Sequence, residues 1–200
     1  MTRLPFRTLG IAGALALAPS LAFAHPGLDH ADGLVHGFLH PLTGLDHVLA
    51  MVAVGLLAWQ MGGRAVWMLP AAFMALMAAG GVLGMAGWNL PFVEMGIALS
   101  VVLLGAAVAG GLKAPLALAT GAVGLFAIFH GHAHGAEMPE TAGGLAYGAG
   151  FVLATGLLHL TGLGLGFGIG ALGQRSGDVW VRRAGAAVCV AGMGLVLGAI

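Results

Sequence analysis

Two short segments hold most of the side chains that could do chemistry. The first carries His36, His40, Asp46 and His47, and the second carries His130, His132, His134 and Glu137. Imidazole nitrogens and carboxylate oxygens are ligands for divalent transition metals, and imidazole also relays protons near neutral pH. His36 and His40 are four residues apart, so a helix puts them on one face. Pro41 is expected to end that helix. Thr43 or Gly44 then starts the next, with Asp46 in a first turn where the helix dipole favours a carboxylate. The chain is expected to fold back here so that His40 meets Asp46 and His47. Met51, one turn beyond His47, offers a thioether, although packing is its plainer role. In the second segment, a step of about 100° per residue places His134 about 40° and Glu137 about 20° from His130. Those three share a face. His132 points nearly the opposite way and joins them only if the helix frays at Gly131 or Gly135. A set without thiolates fits nickel(II), cobalt(II) or zinc(II) and disfavours copper(I).

The surrounding chain is apolar. It is 60% hydrophobic and 7% charged, with a mean hydropathy of +1.02. Soluble domains carry about 25% charged residues, so the expected fold is an all-α integral membrane helical bundle. The net charge is zero, which gives no basis for nucleic-acid binding. The single cysteine, Cys189, excludes an intrachain disulfide and reads as a small packing residue. The 37 glycines suit close helix packing in lipid.

Residues 1–24 read as a cleaved signal peptide, with an uncleaved anchor as the alternative. Arg3 and Arg7 precede an apolar run, and Ala22, Phe23 and Ala24 form a small-x-small cleavage site. Cleavage would leave His25 at the N-terminus, where its amine and imidazole together make a bidentate chelator. Residues 25–200 then form a single transmembrane domain. Helices of about 20 apolar residues span a bilayer, and six candidates follow, at 44–61, 65–86, 90–110, 115–136, 142–172 and 180–199. The fifth is too long for one untilted span. Residues 25–43 are expected at the outer surface. This topology puts Arg64, Lys113, Arg175, Arg182 and Arg183 inside, as the positive-inside rule requires. Asp29, Asp32, Glu137 and Glu140 fall outside with both histidine clusters, and Glu94 lies just within the third span. Glu94 is a candidate partner near an ion path, or else an interfacial acid. His159 lies deeper and reads as a relay, a second ion site or a packing residue. Glycine recurs at every second position from Gly162 to Gly170. That run is either a packing seam or a broken helix exposing carbonyls to a pathway. Tyr147, Trp59, Trp67, Trp88 and Trp180 read as interface anchors.

The segment from His40 to His47, a histidine, the five residues 41–45, and then Asp46 and His47, resembles a signature of the HupE/UreJ proteins. Phe129, His130, Gly131, Ala133, His134, Gly135 and Glu137 resemble their second signature. The likeness extends over the whole chain. It implies a secondary permease for nickel, with cobalt in some members, that serves hydrogenase, urease or cobalamin metabolism. It also implies His40, Asp46, His47, His130, His134 and Glu137 as metal residues. His36 is family-like, and His132 stands at a variable position.

The resulting expectation is not an enzyme. It is a bacterial inner-membrane permease with a periplasmic mature N-terminus. It has no permanently bound cofactor, and Ni2+ or Co2+ is its cargo. No nucleotide-binding P-loop is present in the sequence. The partners expected are the divalent ion and the bilayer, with homo-oligomerisation left open. The alternatives are a non-transporting metal-binding or sensor protein, and a b-type haem redox protein. Haem would need histidine pairs on facing helices near mid-membrane.

Overall fold

The computed structural model describes residues 30–138, 143–171 and 173–199. The expected signal segment, His25, Asp29 and Glu140 lie outside the described residues. Seven helices follow in order: α1 His30–Thr43, α2 Leu45–Met61, α3 Ala65–Met85, α4 Val93–Gly110, α5 Leu116–Ala136, α6 Gly144–Gly170 and α7 Gln174–Val196. The protein is a helical membrane bundle. Helices α3 to α6 and the part of α7 from Gly177 are each long and apolar enough to cross a membrane. Helix α1 from Gly33 and helix α2 meet at 82° and are together long and apolar enough for a sixth crossing if the bent pair is one span rather than a re-entrant loop.

Helix α2 is the axis of the bundle. Ala50, Met51 and the run from Ala53 to Ala58 are all buried. A helix apolar all round must be surrounded, and α3, α4 and α6 pack around it. Outside them, α5 lies on α3, α7 on α4 and α1 on α6. Glycine makes these pairings close. A Cβ at Gly80 would overlap the Ile128 carbonyl, one at Gly131 the Met77 carbonyl, and one at Gly135 the Gly81 carbonyl. Gly55 and Gly162 bring α2 and α6 together in the same way. In lipid, helices gain no hydrophobic energy from leaving solvent, so backbone contact through small residues supplies the attraction.

One expectation needs correction, that Pro41 ends its helix, and two others are sharpened. Residues 30–43 form the expected helix, exposed at Leu34, Val35, His36 and Leu39 but with Gly37 and Pro41 buried. A Cβ at Gly37 would overlap the Tyr147 carbonyl, and one at Gly150 the Leu34 carbonyl. Pro41 sits inside α1. The carbonyl it deprives of a donor belongs to Gly37, and the break comes three residues later at Gly44, in extended geometry. The Thr43 hydroxyl donates to the His40 carbonyl at 2.7 Å, satisfying one of the open acceptors at the helix end. Of the two readings of the glycine run, α6 keeps the first, since the helix is unbroken through it. Gly162 meets the Val52 carbonyl, Gly166 and Gly170 seat the Trp59 ring, and Gly164 and Gly168 face open space. The run is therefore a packing seam. Trp59 is clamped on α6, whereas Trp67, Trp88 and Trp180 are exposed as anchors should be.

Charge separates along the bundle. Arg182 donates to the Ala109 and Gly110 carbonyls at 2.8 and 3.2 Å, and Gln60 donates to Val108 at 3.1 Å. These contacts close the C-terminus of α4. The other end collects Asp46, Glu94 and Glu137 around one cavity.

Candidate metal centre

The cavity at the acidic end has a volume of about 250 Å³. It lies where α1, α2, α4 and α5 meet. His40 enters from the last turn of α1, and Asp46 and His47 from the first turn of α2. Glu94 enters from the first turn of α4, and His134 and Glu137 from the end of α5. The 82° bend and the helical phase of α5 thus bring the two sequence clusters into one site. Ligand atoms of His40, His134 and Glu137 all lie within 4.8 Å of one another. This set is the open mouth: Glu137 is exposed and His40 half-buried.

A second set lies beneath it and shares His134. His47 Nδ1 is 3.0 Å from Asp46 Oδ1, and the His47 backbone N–H donates to the same oxygen at 2.8 Å. An ionised carboxylate only accepts, so His47 carries its proton on Nδ1 and turns the Nε2 lone pair inward. His130 lies fully buried on α5. Its Nε2 is 2.8 Å from Ser100 Oγ, and that hydroxyl donates to the Ile97 carbonyl at 2.6 Å. The single hydroxyl proton is thereby used. His130 must therefore donate from Nε2, which leaves a lone pair on Nδ1.

That lone pair faces His47 Nε2 across 3.0 Å. His134 Nε2 also contacts His47 Nε2. Facing lone pairs repel unless a cation lies between them. Two nitrogens each about 2.1 Å from one ion and about 90° apart would stand about 3.0 Å from each other. Asp46 and Ser100 act as the outer partners that fix ring tautomers in metal sites. The arrangement fits a divalent cation.

Aromatic rings wall this set. Phe151 lies 4.5 Å from the His134 ring and 6.3 Å from the His47 ring, centroid to centroid. Tyr147, one turn earlier on α6, lies 5.9 Å from His36 and 6.0 Å from His40. It is 4% exposed, so it is a wall of the site and not the interface anchor expected. Phe73 of α3 closes the inner side, 5.6 Å from His130. An apolar wall lowers the local dielectric and strengthens the hold of a carboxylate on a cation.

The remaining candidates separate clearly. His36 is exposed, its ring 6.3 Å from His40, and it borders the mouth. Glu94 lines the cavity but stands outside the compact ligand sets. His132 points away, and its Nε2 donates to the Trp88 carbonyl at 2.6 Å. Met51 is core. His159 is buried behind Phe73, apart from the site. The imidazoles of His47, His130 and His134 are packed ring against ring, with His47 4.2 and 4.5 Å from its neighbours. Sequence reasoning missed Ser100, Phe151 and Phe73. Ser100 had a signal, since it is the one hydroxyl in α4, and polar groups in spans tend to have a role.

Residues 13–196 match the family model described as HupE / UreJ protein. The chain is also 51% identical over 188 residues to Protein HupE of Rhizobium leguminosarum bv. viciae, covering 92% of this chain and 94% of that protein. No solved structure matches.

Proposed function

The chain belongs to the HupE/UreJ family, and from that premise we propose that it is a secondary permease carrying nickel(II), or cobalt(II), into the cell for metalloenzyme maturation. One observation supports this most directly. His47 Nε2 and His130 Nδ1 stand 3.0 Å apart, and the outer nitrogens of both rings are taken up by Asp46 and Ser100. With both inner nitrogens unprotonated, such a pair is suited to holding a cation. The proposed orientation follows from charge. Arg64, Lys113, Arg182 and Arg183 lie toward the end opposite the site, so the positive-inside rule turns the site to the periplasm of the inner membrane.

The steps follow from the geometry. Asp46, Glu94 and Glu137 give the mouth a negative field that gathers cations. His40, His134 and Glu137 replace part of the ion's water. His134 then passes the ion to the His47–His130 pair. An inside-negative potential assists by about 2.3 kcal/mol per charge per 100 mV. Glu137 at the open mouth and Asp46 beside the inner set offset the ion's two charges, which no neutral ligand set could do.

The test is radioactive nickel uptake at submicromolar metal by cells carrying His47→Ala or His130→Ala. Uptake should fall by at least about tenfold at normal expression, the scale typical of lost metal-site partners. Unchanged uptake would reject the site. Binding without lumenal accumulation in sealed vesicles would favour the sensor alternative.

A further inference from the structure

His159 is 1% exposed, and neither of its ring nitrogens has a hydrogen-bond partner. A neutral imidazole brings one donor and one acceptor. Buried polar groups are nearly always paired, and an exception asks for a reason. Packing alone does not supply one, because leucine or phenylalanine would fill the space without stranding two polar atoms.

Its position supplies the reason. Tyr147, Phe151, Thr155 and His159 recur every four residues on α6 and so form one stripe. The first two wall the metal centre. The last two continue the stripe inward, and His159 lies about 12 Å further along the axis than Phe151. Phe73 touches both regions, with its ring centroid 5.6 Å from that of His130 and 5.1 Å from that of His159. The Phe73 ring is thus shared by the two imidazoles and would be the septum between them. Near the septum, Thr155 Oγ1 lies 3.7 Å from Met77 Sδ, adding oxygen and sulfur donors to an otherwise apolar interior.

We propose that His159 is the inner acceptor for the translocated divalent ion, which passes from the His47–His130 pair across the Phe73 ring to the unpartnered imidazole. This rests on the permease reading. A path with one tight site retains its ion, and conduction needs a further, weaker site to draw it off. His159 fits because it offers a single imidazole where the outer centre offers several. The ion class is a divalent first-row metal that accepts nitrogen.

The test uses the full chain reconstituted in sealed vesicles, with radioactive nickel uptake measured beside equilibrium nickel binding and thermal unfolding. Wild-type uptake is the control: if it fails, the permease reading is wrong and not the role of His159. His159→Leu should bind nickel within about threefold of wild type and unfold no earlier, yet take it up at least about tenfold more slowly. His159→Cys restores a donor and should recover uptake while shifting preference toward cadmium, a softer ion. Uptake by His159→Leu within about twofold of wild type would overturn the proposal, as would equal losses of binding and uptake. Should His159→Leu not fold, His159→Asn decides. It keeps polarity but is a poor ligand, so slow uptake supports the proposal and wild-type uptake overturns it.

Discussion

Ser100→Ala tests the claim that ring tautomers prepare the metal centre. In the native protein the Ser100 proton goes to Ile97, so Ser100 can only accept from His130 Nε2. Alanine removes that acceptor. The His130 proton then moves to Nδ1, where it donates to His47 Nε2 across 3.0 Å. The new hydrogen bond contributes about 0.5–1.5 kcal/mol to the empty state, and it must break before an ion enters. Loss of an outer partner in metal sites costs 10–100-fold in affinity, or about 1.4–2.7 kcal/mol. The two scales overlap near 1.4 kcal/mol, so nickel affinity should fall about tenfold. Two hydrogen bonds are lost, to Ile97 and from His130, and one is gained, so the empty protein should lose about 1 kcal/mol. Titration calorimetry with nickel reads the affinity. Nitrogen NMR of the His130 ring reads the tautomer, which should switch from Nε2–H to Nδ1–H. Affinity within about twofold of wild type, with the tautomer switched, would refute the reasoning. An unfolding temperature lowered by more than about 4 °C would show that Ser100 acts through packing instead.

Three further outcomes follow. Protons compete with the ion for imidazole nitrogens; uptake at clamped potential should therefore decline once the medium is acid enough to protonate them, and acid stimulation would contradict it. Gly162→Val forces a branched side chain against the Val52 carbonyl and Gly55, and should cost about 1–3 kcal/mol or more in chemical unfolding; Gly164→Ala meets open space and should be neutral or stabilising by up to about 1 kcal/mol. His132→Leu loses the bond to the Trp88 carbonyl and should lower stability by about 1 kcal/mol while uptake stays at the wild-type rate.

What the sequence disclosed was what local periodicity encodes. The phase of an α-helix alone turns His130, His134 and Glu137 to one side and His132 away; in the structure His134 and Glu137 meet His40 at the mouth, His130 lies beneath against His47, and His132 faces Trp88. Hydropathy marked the spans to within a few residues. Pro41 was misjudged because the rule that proline ends a helix is local, whereas α1 is held by α6 along Gly37 and Gly150. Ser100 and Phe73 stayed hidden for a related reason. Nothing on α4 or α3 announces that α5 will lie beside it, so their contacts with His130 exist only once the bundle packs. The period of two in Gly162–Gly170 was ambiguous because a helix cannot use it as one face: alternate glycines serve the seam and the others face outward.

Gly44 shows how backbone and chemistry are joined here. In one continuous helix His40 and His47 would be two turns apart, about 10 Å along the axis, and too far to share an ion. The 82° bend at Gly44 turns that separation sideways and brings both rings onto His134, 4.7 and 4.2 Å from it. The backbone there, with φ −86°, suits any residue, so conformational freedom is not why glycine occupies the position. Space is the reason. A Cβ would stand 2.8 Å from Asp46 Oδ1 and 3.3 Å from His47 Nδ1. The hinge residue lacks a side chain because the carboxylate–imidazole pair that fixes the inner lone pair folds back over it. The same atom-sized gap therefore bends the chain and orients its metal-facing nitrogen, and a substitution at Gly44 would disturb the two together.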